Sequence, residues 1–413
     1  MSKIPNIRFN GFSDNWKEKQ LSEIFTIKNN KNKNQYSREG VLSVSDYEGC
    51  VNQIKFHGRS FAGKDISNYK IADIGDIIYT KSPLQSKPYG IIKIVTEEAG
   101  IVSPLYVVNT PIKENDSLFM YYLFDSPERT NKYLELLVRK GAKNTMNISD
   151  AEWLSGKVVV SENLEEQQKI GLFFKKIDDL INVETSKIDE LSKIKQALLL
   201  KMFPANNEDV PSIRFKDFTN DWEQRKLGDM MTVTSVKRIH QSDWTDSGIR
   251  FLRARDIVAA TKGEEPVDYL YISKEKYEEY SAISGKVSID DLLVTGVGTI
   301  GIPYLISNSE PLYFKDGNII WFQNAGKIDG RFFYYSFTGE QIQSFIQESA
   351  GIGTVGTYTI DSGKKTPILL PEEKEQKRIG ALFNNLNHLI TLHQRKLDKL
   401  KEVKSALLDK LLV

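Results

Sequence analysis

Cys50 is the only cysteine in the 413-residue chain. No internal disulfide can form, and a reducing cytoplasm is the expected compartment. Apolar residues never run on for the roughly 18 positions of a membrane helix. The opening MSKIPNIRFNGFSDNW has no apolar stretch of the secretory kind. Neither a membrane span nor a signal is expected. An excess of one charge is lacking too: 56 Lys+Arg against 55 Asp+Glu leave a net charge of +1. That sum does not advertise a nucleic-acid binder, although binding depends on how charge is distributed. Histidine is scarce, and His388 and His393 stand five apart, on different faces of a helix. With one thiol in the chain, no metal site is expected.

Two catalytic signatures are also absent. There is no Gly-x-x-x-x-Gly-Lys-Ser/Thr loop and no Asn-Pro-Pro-aromatic tetrapeptide of adenine methyltransferases. Neither a motor ATPase nor that methyl-transfer chemistry is encoded, and no catalytic residue is expected. Gly296-Val-Gly-Thr-Ile-Gly301 spells the dinucleotide fingerprint. However, Ile302-Pro-Tyr-Leu-Ile306 reads as a strand where that motif needs a helix. The expected use is a glycine-rich strand connection, with close backbone approach to DNA phosphate as the functional reading.

What the chain does contain is a repeat. Ile4–Trp16 recurs as Val210–Trp222, with Trp16 and Trp222 206 positions apart and Pro5, Ile7, Arg8, Phe9 and Phe12 matched by Pro211, Ile213, Arg214, Phe215 and Phe218. Glu166-Gln-Gln-Lys-Ile-Gly171 recurs as Glu375-Gln-Lys-Arg-Ile-Gly380, 209 positions on, and that match runs ungapped to the C-terminal end. The helical segments are more alike than the bodies between them. This contrast points to one job done twice by the helices and two different jobs done by the bodies.

The stretch 164–203 has no proline and a single glycine, Gly171. Apolar residues spaced alternately by three and four make a heptad seam. The seam takes Ile177, Ile181, Ile188, Leu191 and Leu198 in the first copy. In the second it takes Leu386, Ile390, His393, Leu397, Leu400, Lys404, Leu407 and Leu411, with His393 as a buried polar contact that sets register. Asn163 with Glu166 forms an expected capping box, and Pro371 suits a first helical turn. The expected fold is α+β: two mixed, strand-rich domains in tandem, each followed by a long helix, the helices pairing as an antiparallel coiled coil. The expected boundaries are 1–160 for the first domain, 161–203 for the central helical region and 204–210 for a linker. The second domain takes 211–369 and the C-terminal helical region 370–413. A turn followed by an apolar strand is expected in each of 73–80 and 288–295, and further helices near 118–138 and 330–347.

Amide-rich and basic stretches are the candidate DNA readers. In the first body these are Lys31, Asn32, Lys33, Asn34, Gln35 and Tyr36, then Lys81, Gln85 and Lys87, then Lys143, Asn144 and Asn147. The second body supplies Lys237, Arg238, His240, Gln241, Arg253 and Arg255, with Gly298, Thr299, Thr354, Thr357 and Tyr358 in glycine-rich loops. Asn and Gln pair bidentately with adenine, Arg and Lys with guanine, while lysines and glycine amides hold phosphates. Taken singly, such loops are more often solvated turns. Two other readings stay open here: a coiled-coil scaffold that binds proteins and no DNA, and a stand-alone DNA-binding regulator.

The layout resembles the DNA-specificity subunits of type I restriction-modification systems. The resemblance rests on the two Glu-Gln-x-x-Ile-Gly helix starts, on Trp16-to-Leu21 and Trp222-to-Leu227, and on Gly75-Asp76 and Asp291–Gly301. It implies two target-recognition domains, one for each half of a split double-stranded DNA site, with the paired helices as spacer. It also implies two modification (methyltransferase) subunits docked near the repeated helices and restriction subunits as further partners. Gln167, Gly171, Phe174, Gln376, Gly380 and Phe383 are the candidate docking residues at the helix starts. No cofactor is expected on this chain; S-adenosylmethionine, ATP and Mg belong to the implied partners.

Overall fold

The computed structural model describes residues 4–84, 87–140, 146–206, 208–264, 266, 268–350 and 356–412. The chain divides into two compact units, Met1–Thr185 with Arg395–Val413 and Ser186–Gln394. The first is discontinuous in sequence because it takes the end of the last helix.

In unit 1, an antiparallel sheet runs in the order Phe25–Ile27, Val107–Pro111, Ile77–Tyr79, Ile92–Ile94. Its central strands are buried on both faces and carry β-branched and aromatic side chains, the composition such strands favour. Beside it, Lys17–Gln20 pairs with Lys157–Val160 and ties the start of the body to its end. Trp16, Tyr79, Phe119, Tyr122 and Trp153 fill the core, which Phe174 of the first long helix and Leu408, Leu411 and Leu412 of the second complete.

Unit 2 repeats this frame strand for strand. Thr232–Thr234, Ile319–Gln323, Leu292–Thr295 and Pro303–Leu305 form the same antiparallel order, and Glu223–Lys226 pairs with Pro367–Leu370. The glycine-rich segment 296–301 therefore joins two antiparallel neighbours. Trp222, Phe203, Phe332 and Phe383 pack at the core.

The units differ in what lies beyond this frame. Unit 2 has a second four-stranded sheet, Trp244–Thr245, Leu270–Ile272, Ile249–Leu252 and Leu312–Phe314, with its own core around Phe251, Tyr277 and Trp321. Unit 1 has instead two separate ladders, Leu42–Ser45 with Gly49–Asn52 and Lys70–Ala72 with Gly100–Val102, over small clusters of apolar residues.

The long helices are Leu164–Met202 and Glu373–Leu411, 39 residues each. Within unit 1, Lys404 meets Asp178 and Lys396 meets Glu184, so the segments run antiparallel. Within unit 2, Leu198 and Leu199 gather with Leu382 and Leu386 on one core.

Four local expectations are corrected. The helix near 118–138 is two, Ser117–Leu123 and Pro127–Glu135, because Ser126 caps a new start and Pro127 occupies its first turn. The helix near 330–347 likewise breaks between Gly330–Phe337 and Glu340–Ser349. The capping box is half made: Asn163 Oδ1 accepts from Glu166 N, but the Glu166 side chain turns inward. Pro371 stands before the helical turn it was expected to open and offers its carbonyl to Gln376.

Candidate functional site

The repeated motif at each helix start is an internal clamp. Glu166 and Glu375 are wholly buried. Arg8 grips Glu166 through Nε and Nη2 at 2.5 and 2.9 Å, and Arg214 grips Glu375 at 2.7 and 2.8 Å. Trp16 Nε1 and Ser161 Oγ donate to the same Glu166 oxygen. Bidentate guanidinium–carboxylate pairs fix geometry as well as energy, so each pair locks the start of its unit to the start of the helix. One residue on, Gln167 Oε1 accepts from Asp116 N at 2.8 Å and its Nε2 donates to Ser161 O. Gln376 does the same between Asp329 N and Pro371 O.

Gly171 and Gly380 complete the clamp. A methyl group at Gly171 would meet Asp116 Oδ1 at 2.7 Å and Phe119 N at 2.9 Å; at Gly380 it would meet Asp329 Oδ1 at 2.6 Å and Phe332 N at 2.9 Å. Only glycine admits this approach of a long helix to the N-terminus of a short one. Gln167, Gly171, Phe174, Gln376, Gly380 and Phe383 are therefore corrected as docking surface. They are buried beneath their own units and join each helix to the body it follows.

The seam residues are in part covered. Ile177 and Leu397 are buried, while Ile181, Ile188, Leu191, Leu198, Leu386, Ile390, His393, Leu400 and Leu407 are half-buried. Glu184, in a seam slot of the first helix, is 1% exposed and takes Lys396 Nζ at 2.8 Å.

In the first unit, Asn32 is corrected from base reader to loop organiser. Its amide donates to Tyr36 O and Ile66 O and accepts from Tyr36 N. Around it, Lys33 and Asn34 adopt left-handed backbone, φ 43° and 69°. This turn presents Lys33, Asn34 and Gln35 to solvent, with Lys31 exposed beside them and held to Asn68. Tyr36 packs half-buried. Lys81 donates to Ile148 O, and burial holds its ammonium pKa below the ordinary lysine range. Lys87 pairs with Asp46 at the tip of the Leu42–Ser45 hairpin. Asn147 pairs its backbone with Arg139. Gln85, Lys143 and Asn144 lie outside the described residues, as does Thr354.

The second unit exposes Lys237, Arg238, His240 and Gln241 in one run, and Lys237 lies 4.2 Å from the centre of the Tyr280 ring. Arg253 is engaged twice, by Asp256 and by Asp268, and Arg255 reaches the same Asp268 at 2.7 Å. Burial works to lower the Arg253 pKa, but these two carboxylates outweigh it and raise it. Tyr358 is corrected as a DNA contact: it is 2% exposed and its hydroxyl bonds Thr366. Its backbone N donates to Gly296 O. That bond brings exposed Thr357 to the loop carrying Gly298 and Thr299, also exposed, with Gly298 at φ 79° and open space around it.

Sequence reasoning missed Tyr47, 94% exposed at the hairpin tip beside Asp46. It also missed a buried charge network in unit 1. Lys404 bridges Asp125 and Asp178 at 2.6 and 2.7 Å, Tyr122 donates to Asp178, and Lys93 lies 3.9 Å from Asp125 and 3.7 Å from Asp46. Lys195, at the matching place in unit 2, faces the Tyr335 ring instead. A lysine in a seam register was the available signal.

Over residues 13–193 and again over 219–402 the chain matches the family described as type I restriction modification DNA specificity domain. It is 25% identical over 265 residues to the type I restriction enzyme MjaVIII specificity subunit of Methanocaldococcus jannaschii, so the chain spans about 60% of that relative's length, with the same share of its own. To the putative type I restriction enzyme MjaX specificity subunit of the same organism it is 23% identical, over 97% of this chain and 93% of that one. The S subunit of a type-I restriction-modification system from M. genitalium shares the fold, with a TM-score of 0.62 over 99% of both chains at 14% identity. With two copies of its domain covering most of the polypeptide, the chain belongs to the type I restriction-modification DNA specificity family.

Proposed function

We propose that this chain is the specificity subunit of a type I restriction-modification system, a non-catalytic protein that reads a split double-stranded DNA site. Each unit reads one half, and the clamped helices hold the two readers as a spacer. Two modification subunits dock on the chain and supply methyl transfer from S-adenosylmethionine. Restriction subunits bring ATP and Mg, and the assembly works in the cytoplasm. One observation carries the reading: the two units share one frame and one clamp but differ in everything built beyond them. Identical frames suit identical docking, and different outer layers suit unlike half-sites.

Exposed Lys33, Asn34 and Gln35, with exposed Lys237, Arg238, His240 and Gln241, supply amide, guanidinium and ammonium donors of the kind that pair with base edges and phosphates. A net charge of +1 suits a subunit whose partners contribute part of the positive surface. The test is genome-wide adenine methylation in cells carrying a candidate modification subunit, with and without this chain. A two-part motif with unlike halves and a fixed gap, present only with the chain, supports the reading. An active complex with no chain-dependent motif would sink it.

A further inference from the structure

In the outer layer of unit 1 a row of rings stands in solvent. Phe56 is 48% and Phe61 57% exposed, with His57 also exposed. The His57 ring lies 4.7 Å from Phe56 and 5.2 Å from Phe61, edge to face in both cases. The Arg59 guanidinium lies 5.0 Å from the centre of the Phe61 ring. Rings joined edge to face do not cover one another as a stack would. Single exposed rings are ordinary on a protein surface, but contiguous ones mark a contact surface.

The row is held in place by its own loop. The short helix Gln53–His57 ends at Gly58, in left-handed backbone at φ 73°, whose N–H donates to Ile54 O. Gln53 Oε1 then accepts from Ser60 Oγ and Phe61 N, at 3.1 and 2.7 Å. Arg38 Nη2 donates to Ala62 O at 2.6 Å, and Asn32 Nδ2 to Ile66 O. These bonds tie the ring loop to the segment that presents Lys33, Asn34 and Gln35, over one apolar cluster of Val41, Ala62, Ile66 and Ile101.

The charge around the rings decides what they suit. Lys33, Arg38, Arg59 and Lys64 are exposed, and among the described residues no carboxylate pairs with any of them. The one carboxylate within 53–67 is Asp65, and it accepts from Ser67 N. Lys55 is neutralised by Glu98 at 2.8 Å. Ring faces set among uncompensated cations match a ligand that carries flat rings on an anionic backbone, the chemistry of a nucleic-acid strand. Unit 2 has the same pairing on unrelated elements: Arg250 lies 4.4 Å from the centre of the Tyr269 ring, which is 38% exposed.

We propose that Phe56, His57 and Phe61 form a stacking platform for unpaired bases of DNA. In a duplex the base faces are covered by their neighbours, and the grooves offer only edges. The platform therefore takes bases that have left the stack, as at an opened or kinked step. The turn 33–35 addresses edges, and the rings address faces. This inference rests on the DNA reading and adds to it a recognition of unpaired bases by the first unit.

The test is fluorescence anisotropy of the full chain with two labelled single strands of equal length at one salt concentration, one of thymidines and one of abasic sites. Both carry the same phosphates, and only the first has ring faces. The thymidine strand should bind about tenfold more tightly, the gain from one stacked base. Phe56→Ala with Phe61→Ala should remove that gain while leaving the abasic strand's affinity and the melting temperature as they were. Phe61→Trp should keep the preference, and its emission above that of the unsubstituted chain should be quenched by the thymidine strand alone. That second reading decides the matter even where the double variant fails to fold. Equal binding of the two strands, or no binding of either, overturns the proposal, as does a preference that survives the double substitution. A double variant that keeps the preference but no longer holds a modification subunit gives the rings to a protein contact. A chain that directs a two-part methylation motif while treating the two strands alike keeps the DNA reading and loses only this inference.

Discussion

At the scale of single residues, the clamp makes demands that no neighbouring residue can relax. Glu166 accepts from Arg8, Trp16 and Ser161 while fully buried. Removing it leaves a guanidinium and an indole without their acceptor, so Glu166→Ala should destabilise unit 1 by about 3–5 kcal/mol, read as a shift in its urea transition. Gly171→Ala should cost about 1–3 kcal/mol through overpacking. A shift too small to measure would mean the helix can back away from Asp116 freely. Cys50 offers a pH test. Burial pushes its thiol up to about 12 from an ordinary 9.0. The folded state holds the neutral thiol, so its contribution is present below about pH 9 and is lost as pH rises toward 12. Alkylation at pH 8 should therefore follow unfolding, and rapid labelling of the native chain would contradict the burial.

At the scale of elements, the long helices were legible because heptad spacing, absence of proline and an ungapped repeat all agree. Shorter elements were less so. The break at Ser126-Pro127 was missed although it lies in the polar run 125–132 and Ser-Pro is a start signal in its own right. Asn32 and Tyr358 read as surface polar residues, and what buries them lies far off in sequence or in packing: Ile66 for the first, Thr366 and Gly296 for the second. Local pattern cannot see such partners. The clamp was visible as repetition, but repetition alone does not distinguish a residue used by a partner from one used by its own unit. The helices also carry a prediction about spacing. Four residues inserted between Thr185 and Ser186, and four between Gln394 and Arg395, lengthen each helix by about 6 Å. The preferred gap between half-sites should grow while both half-sites stay as they were. An unchanged gap in the methylation motif would refute the spacer role.

At the scale of the whole molecule, unlike outer layers on a common frame predict modular specificity. Replacing residues 1–160 with the equivalent body of another family member should change one half-site and spare the other, read from the methylation motif. Alanines at Lys33, Asn34 and Gln35 should relax that same half alone, each true base contact being worth about 1–3 kcal/mol. The discontinuous make-up of unit 1 has a kinetic meaning as well. Its core is closed by Leu408, Leu411 and Leu412, whereas unit 2 is one unbroken stretch of chain. During synthesis the body made first must wait for the helix made last, so the second body can finish folding before it. Until then the earlier one carries an open apolar face that chaperones can hold and proteases can cut.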